Sequence, residues 1–399
     1  MIKSRNLSRR HRRTVAADAR IAQGGRTKGV LGSVVIATTV LAVTAAPAAA
    51  TAAREADRAG LQSRLDDVVA AGTVGALAEV RDPLGRWRGA GGVAELGTTR
   101  AVPLDGRFRA GSVTKTFVAT VVLQLVGEGR LRLDDTVESR LPGVLPDGHR
   151  ITVRHLLNHT SGLFDYVRTL PMPPGPEFLG NRWRTWTPAE LVQRAVANPP
   201  TSDRPGSAYA YSNTNYLLLG QIIEKVTGRP YGEEIERRII QPLRLGGTAV
   251  PGTSPGIRGP HPHGYVPAQR DGEMVLLDYT KMNPSVFGAA GEMISTTGDL
   301  NQFFAALLGG RLLPPHLLAE MKTPGVQGGT YGLGLAWRDT TCGIRVYGND
   351  GGTLAYQSWS FSTEDRRRQA TVALTPNFRG EADVVFAAVD ALLSRAFCA

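Results

Sequence analysis

The chain has 399 residues, 42% hydrophobic and 20% charged, with a formal net charge of +11. That balance belongs to a globular protein and excludes a disordered or collagen-like chain. Residues 1–50 hold nine Lys/Arg and one acid, Asp18, so +8 of the charge lies there and +3 is left for residues 51–399. No basic patch interleaved with aromatics remains, which removes the case for a nucleic-acid partner.

The first segment, residues 1–50, reads as an export signal peptide. A basic stretch from Lys3 to Lys28 precedes the uncharged apolar run Gly29 to Val43, and Ala48-Ala49-Ala50 offers a small-residue cleavage site. The run is short for a membrane span, with an uncleaved anchor as the alternative. Residues 51–399 are then expected to be secreted, with no stable span after cleavage. Ser8-Arg9-Arg10 leaves the export route open.

Glu55 to Ala71 places Leu61, Leu65, Val68 and Val69 at helical spacing. Val74–Val80 and Arg86–Val93 read as strands around the turn Asp82-Pro83-Leu84-Gly85. An apolar helix then opens at Ser112. Further helices are expected at Val153–Asn158, Pro188–Ala197, Thr214–Thr227, Tyr231–Ile240 and Thr297–Leu308. Leu170–Gly180 and Pro251–Pro267 read as Pro/Gly-rich loops suited to the rim of a cleft. Strands follow at Gly332–Trp337, Ile344–Tyr347, Tyr356–Phe361 and Ala370–Leu374, and Ala382–Arg395 reads as a closing helix. Strands at both ends with helices between predict an α/β plus all-α fold. One antiparallel sheet is built from both chain ends and flanked by helices (about 51–135 and 290–399). A helical lobe spans about 136–289.

Chemistry concentrates at Ser112-Val113-Thr114-Lys115. Residues at i and i+3 share a helix face, so hydroxyl and amine can meet. Only six of the 46 Lys+Arg residues are lysines. An arginine cannot give up its proton, whereas a lysine of lowered pKa can take one from a hydroxyl. Alone, the pair also fits a surface lysine near a helix start. Tyr211-Ser212-Asn213 supplies partners: a phenol to exchange a proton, and an amide to orient the amine and grip a carbonyl. Turn chemistry alone would also explain that tripeptide. Cys342 and Cys398, in an exported chain, read as a disulfide between a C-terminal strand and the last helix, with two buried thiols as the alternative.

Together these segments resemble the serine penicillin-recognising hydrolases: exported D-alanyl-D-alanine carboxypeptidases, class C β-lactamases and related esterases. Phe108 to Lys115 is similar to the family's nucleophile segment. Leu131-Arg132-Leu133-Asp134-Asp135, the run Ile151 to Leu163, Ala290 to Ser295 and Tyr331 to Leu335 also fit. Among these enzymes the chain looks most similar to secreted actinobacterial DD-carboxypeptidases, which carry a bridge where Cys342 and Cys398 fall. The resemblance implies a β-lactamase/transpeptidase-like fold with its cleft between the lobes. It implies that Ser112 is acylated and Lys115 accepts its proton. Tyr211, its pKa lowered by the nearby cation, would shuttle a proton, and Asn213 would hold Lys115 and the substrate. The backbone N–H groups of Ser112 and Gly352 would form the oxyanion hole.

The third motif of that family, a cation or histidine, a small or hydroxyl residue and a glycine, aligns with Asn349-Asp350-Gly351. The glycine stays; the cation is gone and a carboxylate has been added. An arginine that holds a substrate carboxylate in the carboxypeptidases aligns with Ala336. Arg338, two residues on, points to the same face of a strand and could substitute. Asn349, Asp350, Gly351 and Arg338 are therefore expected to line the substrate site, unless Asn349 and Asp350 merely turn the chain. His261-Pro262-His263 lacks the helical spacing of a zinc site. His155 and His159 are assigned structural roles, and no metal or cofactor is expected. Trp183 and Trp186 read as packing residues, with a place in the cleft lining as the alternative.

The expectation is an exported, monomeric serine hydrolase acting through an acyl-enzyme on D-alanyl peptides of cell-wall type, with β-lactams as covalent inhibitors. An esterase or amidase for uncharged acyl substrates is one alternative. A penicillin-acylated binding protein with little turnover is the other.

Overall fold

The computed structural model describes residues 45–378 and 380–398, with the backbone alone for 45–50, 52 and 53. The apolar run Gly29 to Val43 lies outside the described residues, among which no helix is long and apolar enough to cross a membrane.

Helix α1 (Ala45–Ala70) leads into strands β1 (Thr73–Asp82) and β2 (Gly85–Gly92). The chain returns to the same sheet only after residue 335, with β5 (Ala336–Asp339), β6 (Arg345–Gly352), β7 (Gln357–Thr363) and β8 (Gln369–Pro376). Between them lie helices α2 (Thr114–Gly127), α3 (Thr214–Thr227) and α4 (Thr297–Leu308), and the hairpin β3 (Tyr265–Arg270) with β4 (Glu273–Asp278). Helix α5 (Ala382–Cys398) closes the fold. The six-stranded sheet runs β2-β1-β8-β7-β6-β5, every pair antiparallel.

Both sheet faces are covered, which explains why β1 is a nearly unbroken buried run instead of an alternating one. On one face Leu61, Leu65 and Val68 of α1 and Val385, Val389 and Leu392 of α5 pack against Ala76, Val346, Phe361 and Val372. The other face carries α2 and α4, joined by the stacked rings of Phe117 and Phe303 with centroids 3.6 Å apart. Helix α2 contains three threonines and five valine or phenylalanine residues, poor helix formers, so its helicity comes from burial.

The sheet from both chain ends, its flanking helices and the helical middle match the sequence expectation. Three details differ. The strand expected from Gly332 begins only at Ala336. Gly334 has φ +75°, and a Cβ there would lie 2.4 Å from Ala119 of α2, so the preceding residues turn against the helix. The strand expected at Ile344–Tyr347 runs on to Gly352, with Asn349 paired to Ser360 and Asp350 to Trp359; they form no turn. The β3–β4 hairpin falls partly in the presumed Pro-rich loop. Its Asp271-Gly272 turn, with φ of 51° and 83°, is a hairpin signal that the surrounding prolines masked.

Cys342, in the β5–β6 turn, is bonded to Cys398 at the end of α5, closing a separation of 56 residues. Replacing both by serine should lower the unfolding free energy by about 2–4 kcal/mol. Urea titration of the two proteins checks this, and a reductant should bring the parent to the same midpoint.

Candidate active site

Three segments converge where the open part of β6 passes the start of α2. Gly111–Val113 is a single 3-10 turn ahead of α2, so Ser112 and Lys115 fall on one face. Lys115 Nζ lies 3.0 Å from Ser112 Oγ. It donates to Asn213 Oδ1 at 2.7 Å and to the Ala290 carbonyl at 2.7 Å. Tyr211 Oη stands 2.7 Å from Ser112 Oγ on the other side. The four residues expected to carry catalysis are thus within hydrogen-bonding reach in a single network.

The Lys115 side chain is fully buried, and desolvation lowers its pKa to about 7, although the charges of Asp165 and Asp350 pull the other way. An ammonium has three hydrogens; a neutral amine has two and a lone pair. Asn213 Oδ1 and Ala290 O are pure acceptors and take two hydrogens. In the neutral amine the lone pair then faces Ser112, which is partly exposed and reachable from solvent.

Tyr211 corrects an expectation. Its pKa is raised well above the ordinary phenol value, not lowered, chiefly by burial of the hydroxyl, with the bond to Ser112 acting against this. At rest the phenol keeps its proton and donates toward Ser112.

Asn213 is held in turn by Asp165, which accepts from its Nδ2 at 2.9 Å and its backbone N–H at 3.2 Å. His159 supports the same loop. Its Nδ1 accepts from Ser212 N–H at 3.2 Å and sits 3.1 Å from Asn215 Nδ2, and its ring centroid lies 4.3 Å from that of Tyr211. Burial, then the nearby Lys115 charge, hold this imidazole neutral. His155 instead completes a capping box with Thr152. Asp165 and the Ala290 carbonyl escaped the sequence reading, because a lone aspartate and a backbone oxygen leave no pattern.

The far wall is β6. Thr353 N–H donates to Tyr356 O, so the alternation of an antiparallel ladder turns the Gly352 N–H away from β7, toward the open edge. Gly111 packs on Gly352: a Cβ on Gly111 would lie 2.6 Å from Gly352 N. A Cβ on Gly351 would lie 2.0 Å from Ala110 O and 2.9 Å from Ser112 N, so glycine is required there. The strand end at Gly351-Gly352 thus packs directly on the turn that carries Ser112, which is the approach the expected oxyanion hole needs.

Two residues expected to bind substrate do something else. Asn349 is buried and turned toward α2, donating to Thr116 Oγ1 at 3.2 Å; it ties β6 to the nucleophile helix. Arg338 shares the face of Ala336, but its guanidinium donates to Asp390 of α5 at 2.7 Å. Asp350, in contrast, is exposed, and its charge acts on Lys115, Tyr209 and Tyr211. The crowded cleft raises its carboxyl pKa, against the pull of Lys115 and Arg338. Trp186 is buried, as expected of a packing residue, while Trp183 is exposed.

Comparison with known proteins agrees with this geometry. Residues 56–393 match the family described as Beta-lactamase, and the chain belongs to it. A D-stereospecific amidohydrolase from Streptomyces sp. superposes with TM-score 0.76 at 42% identity, covering 86% of this chain and 98% of that one. A D-aminopeptidase of Brucella anthropi is 30% identical over 334 residues, 79% of this chain and 58% of its own length. Penicillin-binding protein 4 of Amycolatopsis lactamdurans is 37% identical over 160 residues, 39% of each. The chain spans between about two fifths and three fifths of the curated relatives it matches. The fold, the serine-hydrolase class and the family expected from the motifs are therefore established.

The buried lysine sets a pH dependence. Below its pKa Lys115 is an ammonium and cannot accept the Ser112 proton, so kcat/KM should fall about tenfold per pH unit on the acid side, with a midpoint near 7. Asp165→Asn removes a charge that raises the Lys115 pKa and should move that midpoint to lower pH. A pH–rate profile of both proteins on an activated ester measures it.

Proposed function

We propose that this chain is an exported amidohydrolase that forms an acyl-enzyme on Ser112 and acts on small D-aminoacyl amides or peptides with a free, cationic amine. The carrying observation is Asp350: an exposed carboxylate on the cleft strand, where a carboxylate-binding enzyme needs a cation. Ala336, Asn349 and Gly352 supply no positive charge, and Arg338 is engaged with Asp390. A substrate carboxylate would meet repulsion there, whereas an ammonium would find a partner. The D-stereospecific amidohydrolase and D-aminopeptidase among the similar proteins support the substrate class. The basic segment, apolar run and small-residue site of residues 1–50 support export.

The proposed reaction balances as follows. Ser112 Oγ attacks the amide carbonyl while its proton passes to Lys115 Nζ. The carbonyl oxygen becomes negative and is held by the N–H groups of Ser112 and Gly352. As the C–N bond breaks, Tyr211 gives its proton to the leaving nitrogen. The resulting phenolate is stabilised by the new ammonium of Lys115. A water then gives a proton back to Tyr211 as its oxygen adds to the acyl group. Ser112 departs with the proton held on Lys115, and the acid is released. A phenol of raised pKa suits this role, because its phenolate is a strong base.

The carboxypeptidase reading uses the same machinery and differs only in the end of the substrate that is gripped. Steady-state assays on D-alaninamide and on N-acyl-D-alanyl-D-alanine separate the two. Hydrolysis of the amide at the higher kcat/KM, lost at least about a thousandfold in Ser112→Ala, is expected. Preferred release of D-alanine from the N-acylated dipeptide would overturn the proposal. Covalent labelling by a fluorescent penicillin without turnover of either substrate would point to a binding protein.

Asp350→Asn should raise KM for D-alaninamide about tenfold or more, the size of a lost charge-assisted hydrogen bond, and leave N-acetyl-D-alaninamide nearly unchanged. Michaelis–Menten analysis of the two substrates reads this difference.

A further inference from the structure

Strands β6 and β7 pair with Asp350 directly opposite Trp359 and Gly352 opposite Gln357. Residues opposite each other in an antiparallel pair share one face of the sheet, with Cβ atoms about 4.5–5.5 Å apart. Side chains alternate along a strand. Asn349 and Gly351 therefore look toward α2 and the nucleophile turn, and Asp350, Gly352 and Trp359 stand together on the other side. That side meets the cleft at the open edge of β6, where the Asp350 charge acts on Lys115 and Tyr211.

The space beside Asp350 is open, since a Cβ on Gly352 would meet nothing within 4 Å. Among the described residues Asp350 enters no ion pair, and Arg338, on the same face, is held by Asp390. Trp359 is unlike its neighbour Phe361, two residues on along the same face of β7. Phe361 is 4% exposed and belongs to the core between sheet and α5, whereas Trp359 is only partly buried at the edge of that core. Phe386 of α5 meets the indole in a T-shaped contact with centroids 5.8 Å apart and is itself 40% exposed. The helix thus steadies the indole and leaves part of it to solvent, next to an unpaired carboxylate.

We propose that Trp359 is a specificity-determining residue. Its indole lies against the substrate ammonium that Asp350 pairs with, and the two select an organic cation over a neutral group of the same shape. This contact presupposes the substrate cation assigned to Asp350 above. An ammonium paired with an exposed carboxylate alone gains little over water. The face of an indole adds electrostatic attraction and removes water from one side of the cation.

Competitive inhibition of activated-ester hydrolysis by the full chain tests this. D-alaninamide is the cationic probe, and isobutyramide, in which a methyl replaces the ammonium, is its neutral isostere. The parent enzyme should bind D-alaninamide at least about tenfold more tightly than isobutyramide. Trp359→Leu keeps an apolar side chain against Phe386. It should raise the inhibition constant of D-alaninamide about fivefold and hold that of isobutyramide within about twofold. Trp359→Phe, which retains a ring, should fall between parent and Trp359→Leu. A packing role alone would move both inhibitors together, and that result overturns the proposal. An unchanged D-alaninamide constant in Trp359→Leu, with weakening in Asp350→Asn, also overturns it and leaves the proposed function standing. Weakening in Trp359→Leu without any in Asp350→Asn supports the indole contact and overturns the role given to Asp350. Equal binding of the two probes by the parent overturns both.

Discussion

The burial of one amine organises this active site. An ammonium out of water is unfavourable by several kcal/mol unless compensated, and the protein compensates incompletely. It offers Lys115 two strong acceptors and leaves the third direction to Ser112, a group that can also donate. The outcome is an amine that titrates near neutrality, which a base for a serine nucleophile requires. Asp165 keeps the shift from going further, because its charge favours the ammonium while its oxygens hold Asn213. The position of the lysine between free base and fixed cation is therefore set by a residue that does not touch it.

That constraint explains the sheet as well. Strand β6 is paired to β5 only through Gly348, so its last four residues leave an open edge beside the nucleophile. A short β5 is what makes the edge available. Glycines at 111 and 351 let the strand approach the 3-10 turn within reach of the Ser112 backbone, and Asn349 ties the two together through Thr116. The bond between Cys342 and Cys398 and the pair Arg338–Asp390 fasten the β5–β6 hairpin to α5 on the opposite face. The cleft wall is thus braced from behind by contacts to α5.

Which parts of this were legible beforehand follows from the same physics. Ser112, Lys115, Tyr211 and Asn213 were legible because the chemistry needs particular side chains at short spacings, and helix and turn geometry convert spacing into proximity. The strands were legible where apolar residues run in blocks, as in β1 and β8. Asp165, the Ala290 carbonyl and the inward turn of Asn349 were not, since each depends on contacts between segments tens to hundreds of residues apart. The acidity of Tyr211 was misjudged for a related reason. The sequence places a cation near the phenol, but only the fold shows how deeply the phenol itself is buried, and that desolvation sets the direction of its shift.

If Asp350 anchors a substrate ammonium as proposed, one position redirects the scaffold without altering its chemistry. The nucleophile, base, relay and oxyanion donors make no reference to what lies at the far end of the substrate, so that end can be exchanged independently. A carboxylate on the free edge of β6 changes the sign of the cleft mouth. Its charge also reaches Lys115, where it favours the ammonium. A bound substrate ammonium would neutralise Asp350, lower the Lys115 pKa further and so increase the fraction of free amine at neutral pH. Substrate recognition and base activation would then be coupled through a single carboxylate, and a substrate lacking the cation would forfeit both.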